Sequence, residues 1–277
     1  MTGARRNRSL LFATALMASS AACDGPAHDG RRLADDSVAV ALAKREPALT
    51  WFFARVDSMA EALRRDSATV RADTAYWQWH DRLNATLAQA STVLMRNPGA
   101  ESDSIARLLP SRGIWTYEAE GNVYFEASHS YLLERTGRWL TPPMREFVTF
   151  AALDQEQRPA ADGGIAITWD DFFDRLATTE DLLQRHPNVA GADLLRERSH
   201  WYLQFALHGG PNSPVFDRRT RALKPELRSL YQRYAAAHRD TPAGKVLADY
   251  LRLLAASGYR LTPKVVAFQR DVTAQGS

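Results

Sequence analysis

The sequence predicts an all-α fold, an irregular multi-helix bundle, on three observations. Apolar residues recur at three- and four-residue spacing through most of the chain beyond residue 47. Thr, Asp or Pro stand where those patterns begin, and Gly or Pro where they stop. Two-residue alternation occurs only over 165–167, too short for a strand. The alternative architecture is an array of helical hairpins.

Leu49, Phe52, Phe53, Val56, Met59, Ala60 and Leu63 form the stripe of a first helix, with Pro47 suited to its first turn. Asp73 or Thr74 is expected to cap a second, whose stripe is Tyr76, Trp79, Leu83, Leu87, Ala90 and Leu94 and which stops near Asn97-Pro98-Gly99. Residues 104–109 read as one or two helical turns, and 113–121 as an aromatic loop or short strand. A helix over 122–135, ended by Gly137, is expected next. Thr141-Pro142 opens another to about residue 155, and 160–164 is an exposed loop. Thr168 caps a long helix to about 185, Pro187 breaks it, and 189–208 forms the next. After the turn-rich stretch 209–222 come helices near 224–238, 242–256 and 263–273.

Cys23 is the only cysteine. Before it lie Arg5, Arg6 and Arg8 with no acid, an apolar run over 10–18, and the small residues Ser20-Ala21-Ala22. That run is far short of the roughly 20 apolar residues a spanning helix needs. These residues resemble the signal of a bacterial lipoprotein precursor. The resemblance implies a signal peptide over 1–22, with a diacylglycerol on the Cys23 thiol and a third acyl chain, such as palmitate, on the new amino terminus. Several chains make such anchoring stable where one would not. It also implies a place in the cell envelope, held to a membrane. The family usually has Leu where Ser20 stands, so ordinary cleavage after Ala22, leaving a free Cys23, is the alternative.

Residues 24–32 are Gly, Pro, Asp, His and Arg with little apolar content, so 23–32 reads as Cys23 and a flexible tether to a single helical domain over 33–277. The chain has 35 Lys and Arg against 32 Asp and Glu, but the surplus of three lies in the signal. From Cys23 onward the charges balance, which removes the compositional case for nucleic-acid binding. The remaining length is enough to bury a core without disulfides or metals.

Two Glu-x-x-His motifs, Glu126 with His129 and Glu197 with His200, fall within expected helices. Residues three apart share a helix face, so each motif can offer a carboxylate and an imidazole to one ion. The pattern resembles half of the di-iron or di-manganese site of ferritin-like bundles, which implies Fe or Mn as cofactor. The family also needs one Glu from each of two other helices; the helix over 76–95 offers only Asp81. The wheel of the helix over 189–208 puts Leu194, Trp201, Tyr202 and Phe205 on its core face, with Glu197 at the flank and His200 well round from the centre. A solvated Glu-His pair with no cofactor is the competing reading.

Asp170-Asp171-Phe172-Phe173-Asp174 resembles the aspartate-rich run of class I terpene synthases, but acids just after Thr168 are what a helix N-terminus favours, and no second metal motif follows. The stretch 115–126 packs aromatics among acids, and Trp115, Tyr117, Glu118, Glu120 and Tyr124 are the candidates for a ligand pocket. The competing reading packs the rings in the core and leaves Glu118 and Glu120 in water. The loops 186–191 and 238–244 echo each other and resemble those between units of tetratricopeptide-type arrays, without the 34-residue period. No catalytic triad, zinc helix, haem motif or phosphate loop is present. The expected function is that of an envelope lipoprotein whose domain binds a protein or small molecule without catalysis. A metal-binding bundle or oxidoreductase built on the Glu-x-x-His motifs is the alternative.

Overall fold

The computed structural model describes residues 47–95, 109, 112–119 and 122–274, the side chains of 47–49, 89–95, 119 and 122–123 excepted. Cys23, the tether, Glu120 and most of the expected turns over 104–109 lie outside the described residues. The described chain is mostly helical. Its elements in order are α1 (Pro47–Arg65), α2 (Val70–Met95), β1 (Ile114–Ala119), β2 (Asn122–Ala127), α3 (His129–Thr136), a 3-10 turn (Gly137–Trp139), α4 (Pro142–Glu156), β3 (Ala160–Ala161), β4 (Gly164–Ile165), α5 (Trp169–Arg185), α6 (Ala192–His208), α7 (Pro225–Ala237), α8 (Pro242–Ala256) and α9 (Pro263–Ala274). No helix among the described residues is long and apolar enough to cross a membrane.

Among the described side chains, the stripes read for the first two helices face the core. Phe52, Val56, Met59 and Leu63 of α1 are buried together with Tyr76, Leu83 and Leu87 of α2. Fully burying one such aliphatic or aromatic side chain contributes about 1.5–3 kcal/mol. The start of α2 differs from expectation. Thr69 caps it, its hydroxyl accepting from the Ala72 amide at 3.3 Å. Asp73, in the first turn, serves a neighbour instead: its carboxylate accepts from the Thr141 amide at 3.0 Å and hydroxyl at 2.6 Å. Thr141 in turn caps α4, with Pro142 at the first helical position. The two helix starts are thereby pinned to each other.

The expected helix over 122–135 is corrected in its first half. Asn122, Val123, Tyr124, Phe125, Glu126 and Ala127 form β2, paired antiparallel with β1 in the register Ile114–Ala127 to Ala119–Asn122. Aromatic and β-branched side chains favour a pleated, half-buried surface over a helix. The helix begins only after Ser128, whose hydroxyl accepts from the Tyr131 amide at 3.3 Å. The expected loop over 160–164 is also partly corrected, since β3 and β4 form a minimal hairpin there. The loop at 209–214 packs onto it: Asn212 donates its amide to the Gly163 carbonyl at 3.0 Å, and the Ser213 hydroxyl accepts from the Ile165 amide at 2.9 Å.

In the second half α5 packs on α6 and α7 on α8, with α9 against α6 and α8. Thr168 caps α5 as expected, and Asp170 pairs with Arg233 of α7. His186 and His238 both sit at helix C-caps, of α5 and α7, and both carbonyls accept from the amide three residues on, Val189 at 3.1 Å and Thr241 at 3.0 Å, but the glycines that follow differ. Gly191 is the left-handed N-cap of α6 (φ 83°), whereas Gly244 lies inside α8.

Candidate functional site: the outer face of the β1–β2 hairpin

Antiparallel pairing gives the hairpin two faces of opposite character. Ile114, Phe125 and Ala127 are buried on the inner face, against α2, where the Asn84 side-chain oxygen accepts from the Ala127 amide at 2.7 Å. The register puts Trp115 opposite Glu126 and Tyr117 opposite Tyr124, so these four share the outer face. All four are half-buried. The Tyr117 and Tyr124 rings stack with centroids 5.0 Å apart and 16° between planes.

The end of α4 supplies the rest of the site. The Arg158 guanidinium lies 3.3 Å from the centroid of the Tyr117 ring, and its Nη2 reaches Glu126 Oε2 at 3.3 Å. Gln155 donates to the Ala127 carbonyl at 3.1 Å and accepts from the His129 amide at 3.0 Å, fixing the hairpin's exit to α4. Burial raises the Tyr117 hydroxyl above its ordinary range, and the Glu126 charge pushes the same way against Arg158. The Trp115 indole N–H and the Arg158 Nε are buried, with no acceptor among the described residues. The arrangement is an Arg–Glu ion pair and three rings with spare donors, which suits recognition of a ligand carrying acceptors.

Of the five residues expected to line a pocket, Trp115, Tyr117 and Tyr124 come together. Glu118 is corrected: the register places it on the opposite face, where it is exposed. Glu120 lies outside the described residues. Arg158 and Gln155 were not foreseen, and nothing in their sequence neighbourhood marks them, because their partnership depends on where α4 ends.

The Glu-x-x-His motifs take up other geometry. The premise that Glu126 and His129 share a helix is corrected, since Glu126 sits on β2 facing Arg158 while His129 opens α3 facing inward. His129 is buried, 3.0 Å from the Tyr76 hydroxyl through Nδ1, and stacks on His80. In the second motif Glu197 is exposed and the His200 ring nitrogen is 2.6 Å from the Gln204 amide. The buried stripe of α6 runs through Leu195, Ser199, Tyr202 and Ala206, shifted from the expected centre, so the residues between Glu197 and His200 face inward. Ser199 donates to Glu180 of α5, which also accepts from the Ala243 amide at 3.1 Å at the start of α8. No group of three or more His, Cys, Asp or Glu that could hold a metal ion forms among the described residues.

Arg198 joins a second buried cluster. Asp154 of α4 receives Arg175 Nη1 at 2.8 Å, Arg198 Nε and the Tyr202 hydroxyl. Arg175 also donates to the Gln157 carbonyl at 3.0 Å. Every member has a partner, so the cluster holds α4, α5 and α6 in place rather than waiting for a ligand. A polar cavity of about 290 Å³ opens between α5 and the α7–α8 turn, lined by residues such as Thr178, Asp181, His238 and Thr241, away from the hairpin residues. No family model, curated protein or solved structure matches the chain.

Proposed function

We propose that the protein is a cell-envelope lipoprotein, anchored to a membrane through acylated Cys23, whose helical domain is a non-catalytic binding module. The observation that carries the reading is the run of Arg5, Arg6 and Arg8, the apolar residues 10–18 and the small residues before Cys23. The binding half is supported by the hairpin's outer face. A buried donor such as the Trp115 N–H costs about 1–3 kcal/mol when left without an acceptor, and a bound group that accepts from it recovers that. The stacked rings of Tyr117 and Tyr124, topped by an Arg158 that is paired with Glu126, supply apolar contact and a spare guanidinium donor for the same ligand.

The test has two arms. Mass spectrometry of the N-terminal peptide from cells should find a chain starting at Cys23 and carrying acyl groups, absent from the Cys23→Ala variant. A peptide starting elsewhere, or an unmodified Cys23, sinks the anchor. For the binding half, a photo-crosslinking amino acid in place of Tyr124 should give one discrete adduct in cells, lost on adding Arg158→Ala. A smear unaffected by Arg158 counts against the face.

A further inference from the structure

The charge balance of the chain beyond residue 22 hides a separation. Residues 217–271 carry twelve Lys and Arg against five Asp and Glu, a surplus of seven, which residues 23–216 offset with twenty against twenty-seven. The surplus concentrates where the turn at 217–223 abuts the turn at 257–262. Ala222 bridges Arg260 there, the Leu223 amide donates to the Tyr259 carbonyl at 2.8 Å, and the Leu261 amide donates to the Arg221 carbonyl at 2.8 Å. Arg218, Arg219, Arg221, Arg228, Arg260 and Lys264 are all exposed around this junction.

The nearby acids, Asp217 and Glu226, form no ion pair with them among the described residues, although the Thr220 hydrogen bonds and, to a lesser degree, the Arg219 charge hold the Asp217 carboxyl below its usual range. Asp217 spends one carboxylate oxygen on its own turn, accepting from the Thr220 amide at 2.6 Å, the Thr220 hydroxyl at 2.8 Å and the Arg219 amide at 3.1 Å. Three of the guanidinium groups are held by neutral partners: Arg260 by the Thr220 carbonyl at 3.0 Å, Arg218 by the Pro211 carbonyl, and Arg228 by the Tyr259 ring at 3.7 Å. Among the described residues, no ion pair involves any of the six. Three of the six charges are therefore positioned by backbone and ring contacts, and none of the six is closed into an ion pair among the described residues.

We propose that this junction is a docking surface for an anionic phospholipid bilayer. A row of exposed cations outside any ion pair, three of them held in place by carbonyl and ring contacts, matches a surface of phosphate groups, to which each Lys or Arg adds attraction. Single-stranded nucleic acid, which binds by stacking bases on open rings, fits less well, because Arg228 already occupies a face of the Tyr259 ring at the junction. The choice of a bilayer rests on the proposed anchor at Cys23, which would confine the domain beside one. Docking would orient the tethered domain, with the α7–α9 end toward the membrane.

The test uses the full chain carrying Cys23→Ser, so that no acyl chain contributes and residues 1–22 contribute equally to every variant. Cosedimentation with vesicles of phosphatidylcholine alone is compared with vesicles containing about one-third phosphatidylglycerol, at low and high salt. Binding should be about tenfold or more stronger to the anionic vesicles and should fall with salt. Arg219→Glu with Lys264→Glu should remove most of that preference. Arg239→Glu with Lys245→Glu changes net charge equally beyond the far end of α7, about 20 Å away, and should leave it within about twofold. Circular dichroism checks that both double variants fold. Equal binding to both vesicle types, equal loss from both double variants, or tighter binding to duplex DNA than to the anionic vesicles would overturn the proposal. An unmodified Cys23 in cells would remove the anchor and leave the patch standing, so the two failures are told apart.

Discussion

His80 and His129 stack ring on ring in the interior, 4.2 Å between centroids and 14° from parallel, one from the middle of α2 and the other opening α3. Tyr76, Trp77 and Asn84 of α2 crowd the same space. Burial drives both imidazoles toward the neutral form. His80 is pushed down to about 4, its hydrogen bond to Ala127 only partly opposing this, and His129 is lowered further by its neighbour's charge. The positive end of α3 works in the same direction.

Acidification should therefore destabilise the fold through this pair. Unfolded imidazoles take up protons near pH 6.5, while folded His80 resists to about 4, so the unfolded chain binds more protons between those values. The stabilisation is complete above pH 6.5 and is lost as the pH falls toward 4, by about 3 kcal/mol for His80. Urea unfolding across that range checks it. His80→Phe with His129→Phe keeps both rings in the stack and should flatten the pH dependence; an unchanged slope in that double variant would show that other groups set it.

Asp154→Ala should be among the most damaging substitutions. It strands the Arg175 and Arg198 guanidinium groups and the Tyr202 hydroxyl where Arg175 is 6% and Asp154 9% exposed. Removing one partner of such a buried set costs about 3–5 kcal/mol. Thermal unfolding measures it, and replacing Asp154 and Arg175 together by Leu and Met should recover part of the loss, since Arg198 and the Tyr202 hydroxyl still lack the carboxylate.

Arg158→Ala should be mild by comparison. Its contacts to Tyr117 and Glu126 are about one-third exposed, and such cation–ring and ion pairs contribute about 1 kcal/mol. A loss approaching that of Asp154→Ala would make the hairpin's outer face a stability element instead of a recognition surface.

Gly191→Ala tests the join between α2 and α6. At φ 83° an added Cβ is strained, and it would meet Trp77 Nε1 at 2.5 Å, on the atom that donates to the Ala190 carbonyl at 2.8 Å. The expected cost is about 1–3 kcal/mol, with a shift of the Trp77 indole N–H resonance. A silent substitution would mean that the Trp77 ring is free to move aside.

Helix identity was legible because a stripe such as Phe52, Val56, Met59 and Leu63 records one buried face at a fixed period, whatever it packs on. The strand β1 was open in the sequence, where 113–121 reads as a loop or short strand, but β2 and its pairing were missed although their signs were present: Tyr124 and Phe125 favour strands, Gly121 suits a tight turn, and Trp115 and Tyr117 are two apart. The Glu-x-x-His spacing competed with them and suggested a helix through Glu126. Asp73 shows a second limit. In sequence it reads as a cap for its own helix, whereas its partner, Thr141, is supplied by a segment far along the chain.

By itself the sequence determined that the body of the protein is helical, where most of its helices begin and end, and that a lone cysteine follows a signal-like run. These are local properties, set by side-chain period, capping and composition. Only the tertiary structure decided that Trp115, Tyr117, Tyr124 and Arg158 share one face, that His129 meets His80, and that Arg198 rather than Glu197 turns inward to Asp154. Each depends on strand register or on how one element is rotated against another. The free energy that fixes those choices comes from burial across the whole core, and no short stretch of sequence carries it.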